Sequence, residues 1–248
     1  MNNKNITEIK LLSIGNSFSV NAHTYIRQIA SSDGINIILG NLYIGGCTLE
    51  RHWNNAVNDA RDYAYYKTNE PVKISTIKEA LLEEKWDYIT FQQASGKSGV
   101  IQSYHPFLSN ISDYVKQYVP NAEQIIHQTW AYQTGCDWEG FINYDYDQQQ
   151  MFIKLKNAYK EAAKHLGIRV IIPCGEAFQN ARAIIGDILC CEDKAHAGSN
   201  GCYLASSVWY ETLTYNNIID NKYTPEEVKS EHLTILKQCA HEAVINYR

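Results

Sequence analysis

The chain has 248 residues, a formal net charge of −5, 45% hydrophobic and 20% charged residues, a balance that supports a buried core and excludes disorder. No stretch of clustered Lys and Arg is available to neutralise phosphates, which excludes a nucleic-acid partner. Residues 1–10 are polar and lack the apolar centre of a secretory signal, and no run is long enough to span a bilayer, so a soluble chain with no membrane partner is expected, whether or not a leader once preceded it.

Residues 10–14 read as a first buried strand, with Gly15-Asn16-Ser17-Phe18 as its exit. A helix is predicted over 22–32, then a second strand over 36–43 whose exit turns on Gly45-Gly46. Helical spacing at 74–84 sets Ile74, Ile77, Leu81 and Leu82 on one face. A third strand follows at 87–92, a helix at 107–118 and a fourth strand at 124–128, which passes into the polar aromatic exit Trp130-Ala131-Tyr132-Gln133. The helix at 149–166 places Phe152, Leu155, Tyr159, Ala162, Ala163 and Leu166 at steps of three and four residues and stops at Gly167, a left-handed cap. A fifth strand at 169–173, a helical or looped stretch at 176–185, a loop carrying Asp193 and His196, and helices at 201–214 and 225–247 complete the chain. Strands alternating with helices imply parallel pairing, helices on both faces of the sheet and a ligand at the carboxyl ends of the strands. No repeat or linker interrupts the pattern, so one domain over 1–248 is expected.

Ser17 falls where the first strand gives way to a helix, so its hydroxyl projects at the strand end and its backbone N–H is free to donate; the alternative is a simple N-cap. A serine hydroxyl becomes a nucleophile only with an imidazole in reach and a carboxylate behind it. Asp193-Lys194-Ala195-His196 can supply both, although each residue alone reads equally as a solvated loop group. His23, one helical turn past Ser17, competes as base. His127 ends a strand beside Trp130 and Tyr132 and reads either as pocket lining or as a structural histidine. His52, His105, His165 and His232 have no motif context and are expected at the surface. His241-Glu242 lacks the second histidine of a zinc helix, so no metal site follows. Seven cysteines, an odd number without C-x-x-C spacing, give neither a zinc knuckle nor a disulfide framework, and the adjacent Cys190 and Cys191 read as reduced thiols in a buried segment.

Gly15-Asn16-Ser17-Phe18-Ser19 after the first strand, Gly45-Gly46 after the second, and Asp193-x-x-His196 followed by Gly201-Cys202-Tyr203-Leu204-Ala205 together resemble the SGNH (GDSL-type) hydrolase superfamily. Residues 40–53, 86–95 and 127–132 resemble, more narrowly, an uncharacterised Bacteroides-type bacterial branch of it. The resemblance implies an α/β fold, a three-layer α/β/α sandwich with a five-stranded parallel, flavodoxin-like sheet, and esterase or deacylase chemistry with no cofactor and no metal. It carries Ser17 over as nucleophile, His196 as general base and Asp193 as the residue that orients the base. The oxyanion donors it implies are the N–H groups of Ser17 and Gly46 and one side-chain amide. Here the chain departs from the superfamily: where G-x-N-D is usual after the third strand, it reads Phe91-Gln92-Gln93-Ala94-Ser95-Gly96. Gln93, nearer the strand end, is the preferred donor and Gln92 the alternative, since side chains alternate along a strand.

Asn16, His127, Trp130 and Tyr132 are the candidate substrate-binding residues. With 18 Tyr and 5 Trp against 6 Phe, and with Trp53, Trp130, Tyr132 and Trp138 at strand exits, a small-molecule or glycan ester is favoured over a lipid. The resulting expectation is a serine esterase removing a short acyl group, acetyl first, from a carbohydrate. A glycan-binding protein that has lost turnover and a lipid or thioester hydrolase are the alternatives.

Overall fold

The computed structural model describes residues 6–247; residues 1–5 of the polar opening segment, and residue 248, lie outside the described residues. In chain order the elements are β1 (Glu8–Gly15), α1 (Ser17–His23), α2 (Ile26–Ser32), β2 (Asn36–Tyr43), α3 (Leu49–Val57), β3 (Tyr63–Lys67), β4 (Lys73–Ser75), α4 (Ile77–Glu83) and β5 (Tyr88–Phe91). There follow α5 (Phe107–Tyr118), β6 (Glu123–Gln128), α6 (Gln148–Leu166), β7 (Ile171–Pro173), α7 (Cys174–Ile185), α8 (Ser199–Thr214) and α9 (Ser230–Ile245). Short 3-10 turns lie between some of them. Among these residues no helix is long and apolar enough to cross a membrane.

The sheet runs β4-β3-β2-β1-β5-β6-β7. Its five central and distal strands, from β2 to β7, are parallel, the expected flavodoxin-like winding. Among the described residues the sheet nevertheless has seven strands, because β3 and β4 add antiparallel to the outer edge of β2. Neither carries a strand signal: β4 is three residues, and β3 buries Tyr63 and Tyr65 while showing Tyr66 to solvent. Helices α1, α2, α8 and α9 pack together, as do α3, α4 and α5.

The predicted helix at 22–32 is two, α1 beginning already at Ser17 and α2 at Ile26. Helix α4 starts at Ile77 rather than residue 74 because Thr76 and Glu79 form a reciprocal capping box there. Helix α3 carries no helix prediction because it is short and mostly polar, although Leu49, His52, Asn55 and Ala56 share its buried face. Helix α6 ends on Gly167 in the left-handed region, as its sequence implies. The 176–185 stretch is helical throughout, as α7. The seven cysteines are unpaired, but Cys191 is exposed, so the segment holding the adjacent pair is not buried.

Register decides what meets at the strand ends. Ile14 pairs with Leu42 and Phe91, Phe91 with Ile126, and Ile126 with Ile171, one apolar row across all five parallel strands. The next residues are Tyr43, Gly15, Gln92, His127 and Ile172, and two of them are polar and buried. One residue before the apolar row, Thr90 donates to Ser13 Oγ at 2.8 Å, and Ser13 Oγ meets His23 Nε2 at 3.1 Å. A polar stripe therefore runs along the sheet face beneath α1, bonded as burial demands except at His127 Nε2. Gly15 lets the helix sit this close: a Cβ there would lie 2.4 Å from Ser19 Oγ.

His52 is the one motif-free histidine that is not at or near the surface. It is fully buried on α3, its Nδ1 2.9 Å from the Tyr63 hydroxyl and 3.5 Å from Cys47 Sγ. Burial holds both His52 and His127 down to about 3. In the unfolded chain both would titrate near the ordinary histidine value, so between roughly pH 6.5 and 3 the unfolded state binds protons that the fold refuses. Stability should therefore drop as pH is lowered through that window, by up to about 1.4 kcal/mol per pH unit for each of the two. Urea midpoints measured at pH 7 and pH 5 test this, and equal midpoints would contradict the buried neutral state.

Candidate active site

Asn16 caps α1, its Oδ1 accepting the Phe18 N–H at 3.0 Å. The sequence alternative, that Ser17 is the cap, is therefore set aside: Ser17 is the first residue of the helix, partly exposed, and its N–H has no intrahelical acceptor. Its Oγ lies 2.7 Å from His196 Nε2.

The Asp193–His196 loop is built by the aspartate itself. Asp193 Oδ1 accepts the N–H groups of Ala195 and His196, both at 3.0 Å, which curls the chain so that Oδ2 comes 2.6 Å from His196 Nδ1. Lys194, at the bend, takes the left-handed conformation. The loop closes on itself through Cys191 N–H to the His196 carbonyl at 2.7 Å and Gly198 N–H to the Leu189 carbonyl at 2.9 Å. Partial burial pushes the Asp193 carboxyl up, but the two amide donors, the imidazole N–H and its charge outweigh this and hold it below the usual carboxylate range. An ionised carboxylate at Nδ1 fixes the imidazole tautomer: the proton sits on Nδ1 and the Nε2 lone pair faces the serine hydroxyl. His196 and Asp193 keep 30% and 35% of their side chains exposed, so the arrangement opens to solvent. His23, the competing base, is turned to Ser13 instead.

Two neighbouring segments lock this loop. The strand exit after β6 is tied to it by Gln133 N–H to the Lys194 carbonyl at 2.7 Å, by Lys194 Nζ to the Gly135 carbonyl at 3.0 Å, and by Trp130 Nε1 to the Ala195 carbonyl at 2.9 Å. Helix α1 is tied to it by Asn21 Oδ1, which accepts the Ala197 N–H at 3.2 Å. Arg182 on α7 braces the exit, reaching the Ala131 carbonyl at 3.0 Å and Asp187 at 2.8 Å. Asn21 and Arg182 had no signal in the sequence, since each is a single polar residue on an ordinary helix.

The four candidate substrate-binding residues are sealed in. Trp130 stacks between Phe18 and Phe178, both centroids 4.5 Å away, and is fully buried. Tyr132 is buried with its hydroxyl 2.7 Å from Ser95 Oγ, and Asn16 and His127 are buried and bonded within the protein. They support the site from beneath and do not face it. The aromatic side chain at the site is Trp138, half-buried, its ring edge-on to His196 at 5.0 Å.

Gly46 sits in the exposed turn Ile44–Cys47, closed by the Cys47 N–H to the Ile44 carbonyl at 3.2 Å, with a φ of 60° that suits glycine. Asn16 Nδ2 binds the Cys47 carbonyl at 3.3 Å, so the turn lies beside the start of α1. The preference for Gln93 is corrected. Its amide nitrogen donates to the Ser103 carbonyl and hydroxyl at 2.9 and 3.0 Å, and its oxygen accepts the N–H groups of Leu49 and Ala94 at 3.0 and 2.8 Å. All of these lie toward α3, across the sheet from Ser17, because side chains alternate. Gln92 points to the Ser17 side but donates to Asn16 Oδ1 at 2.6 Å. Among the described residues no group of three or more His, Cys, Asp or Glu could hold a metal ion.

Residues 10–243 match a family described as a domain of unknown function (DUF4886), and the chain belongs to it. The chain is similar to a DUF4886 protein of Bacteroides uniformis at 41% identity, with a TM-score of 0.93 over 96% of this chain and 95% of that one. At 23% identity and a TM-score of 0.58 it is similar to a candidate SGNH hydrolase of Slackia heliotrinireducens, over 84% of this chain and all of that one. At 10% identity and a TM-score of 0.55 it is similar to an acetylxylan esterase of Geobacillus stearothermophilus, over 84% and 95% of the two chains. No curated protein matches it. The Bacteroides-type branch read from the motifs is thereby borne out, and the fold is the one that SGNH hydrolases share.

Gln93→Ala strips Leu49, Ala94 and Ser103 of their buried partners, each loss costing roughly 1–3 kcal/mol before relaxation. A destabilisation of about 2–4 kcal/mol by urea unfolding is expected, and an unchanged midpoint would return Gln93 to the list of free donors.

Proposed function

We propose that this member of the DUF4886 family is a metal-independent serine esterase that removes short acyl groups, acetyl first, from a carbohydrate or similar polyol. The observation that carries the reading is the unbroken hydrogen-bonded succession Ser17, His196, Asp193, at 2.7 and 2.6 Å, with the tautomer a base requires.

In this reading Ser17 Oγ attacks the ester carbonyl as its proton passes to His196 Nε2. The tetrahedral oxyanion rests against the Ser17 and Gly46 N–H groups, each such donor contributing roughly 3 to 4 kcal/mol of barrier lowering. The protonated imidazole then gives its proton to the departing alkoxide, leaving an acyl-serine and a free alcohol. Water, deprotonated by the same imidazole, attacks the acyl-serine; the imidazolium returns that proton to Ser17 as the carboxylic acid leaves, and the acid then loses its own proton to solvent. Asp193 stays ionised throughout and stabilises the imidazolium.

The substrate class is supported by two features. Trp138 offers a flat apolar wall with a polar edge beside the reacting histidine, which suits a sugar ring. The structural likeness to an acetylxylan esterase agrees with it, at the level of fold.

Ser17→Ala should reduce acetate release from acetylated xylo-oligosaccharides, and from an aryl acetate, by at least ~10³-fold, and Asp193→Asn by roughly 10⁴-fold through loss of the productive tautomer. A serine-directed phosphonate should label Ser17 stoichiometrically. Hydrolysis undiminished in Ser17→Ala overturns the mechanism; sugar binding without labelling or turnover supports a binding protein instead.

A further inference from the structure

Gln92 and His127 emerge side by side at the ends of β5 and β6, because Phe91 and Ile126 are paired one residue earlier. Both are buried. Together with Asn16 they form a chain of hydrogen bonds whose polarity is dictated from one end. The Phe18 N–H can only donate, so Asn16 Oδ1 accepts it at 3.0 Å. The Cys47 carbonyl can only accept, so Asn16 Nδ2 donates to it at 3.3 Å. Gln92 must then present its amide nitrogen to Asn16 Oδ1, at 2.6 Å, which leaves its oxygen 2.7 Å from His127 Nδ1. His127 consequently carries a proton on Nδ1, and its Nε2 has no hydrogen-bond partner. Burial in first place, and the neighbouring His23, hold it in the neutral form.

We propose that Gln92 and His127 are positioning residues that lock the Asn16 carboxamide in one orientation and thereby set the distance between the two backbone oxyanion donors. Asn16 is the strut between them: its oxygen holds the first turn of α1, where Ser17 N–H lies, and its nitrogen holds the turn that presents Gly46 N–H. A carboxamide turned end for end would face N–H against N–H at Phe18 and oxygen against oxygen at Cys47. The Gln92 donor makes that rotamer worse still, and His127, by occupying the Gln92 oxygen, stops Gln92 itself from turning. The G-x-N-D asparagine missing after the third strand is thus replaced here by a residue that orients donors and is not one. This inference rests on the reading of Ser17 as nucleophile.

The discriminating variant is Gln92→Glu, which keeps shape and replaces the donor by oxygen. Above the carboxyl's pKa a charged oxygen confronts Asn16 Oδ1, and kcat for an aryl acetate should fall roughly 10- to 100-fold, with KM within about threefold, because the donors lose their spacing. When the glutamic acid protonates, its O–H can donate to Asn16 Oδ1 while its carbonyl accepts from His127, so the ratio of wild-type to variant kcat should shrink as pH falls. The titratable groups nearby are His127 and, behind it, His23. Gln92→Met, which cannot donate at any pH, should show the loss without the recovery. Phosphonate labelling of Ser17 counts the folded, competent enzyme in each sample. Wild-type kcat in Gln92→Glu, a loss confined to KM, or a ratio independent of pH overturns the positioning role while leaving the esterase reading intact. A wild-type protein that neither labels nor hydrolyses overturns both.

Discussion

The parallel register of β2, β1, β5 and β6 is the constraint on which the site depends. Because Leu42, Ile14, Phe91 and Ile126 share one row, the chain leaves four adjacent strands at one level. Gly45-Gly46, Asn16-Ser17, Gln92 and His127 therefore arrive together without any long-range recognition between them. A slip of one residue between β1 and β5 would turn Gln92 away from Asn16 and bring Gln93 toward it, since side-chain direction reverses at each step. The apolar row enforces the register, and the polar residues beyond it inherit their neighbours.

What could be read from the sequence was whatever is local. Gly15-Asn16-Ser17 declares a strand ending in a helix start, and Asp193 organises His196 through hydrogen bonds that span three residues. Both constellations are made by neighbours in the chain. Gln92 against Gln93 was not decidable in this way, because alternation fixes which two residues differ in facing but not which face α1 will cover. Trp130 and Tyr132 misled for a related reason. An amphipathic ring at a strand exit suits a sugar surface and a buried contact equally, and here Phe18 and Phe178 claim Trp130 on its two faces. His52 carries no motif, yet the hydroxyl of Tyr63, on a strand too short and polar to expect, gives it a buried partner. Strands β3 and β4 went unseen because an antiparallel edge of eight residues has too little apolar period to count.

A polar layer beneath the Ser17 turn is costly in the abstract, since each buried group must find a partner or lose its hydration. In this chain Ser13, Thr90, Asn16, Gln92 and Asn41 are all buried and all bonded. Networks of this kind add little net stability when complete but penalise every alternative packing, because any shift leaves a donor or acceptor alone. That penalty confers precision on groups whose spacing matters to a few tenths of an ångström. It also explains why the layer ends on a histidine held neutral: an ionised group there would lack a counter-charge in a place chosen for rigidity.

The Asp193–His196 loop obtains its rigidity differently, from the surface inward. Asp193 and His196 remain partly exposed, so the low dielectric of a core is not available to strengthen their bond. Order comes instead from backbone bonds that fix the loop before the side chains meet: Asp193 Oδ1 on two amides, the β6 exit on the Lys194 and Ala195 carbonyls, and Asn21 on the Ala197 N–H. Side-chain entropy is then the main remaining cost of aligning His196 with Ser17, and Trp138, edge-on to the imidazole, restricts even that. Ser17 is held by a buried polar strut and His196 by an exposed loop clamped along its backbone. Solvent can therefore reach the point where the two meet without loosening either support.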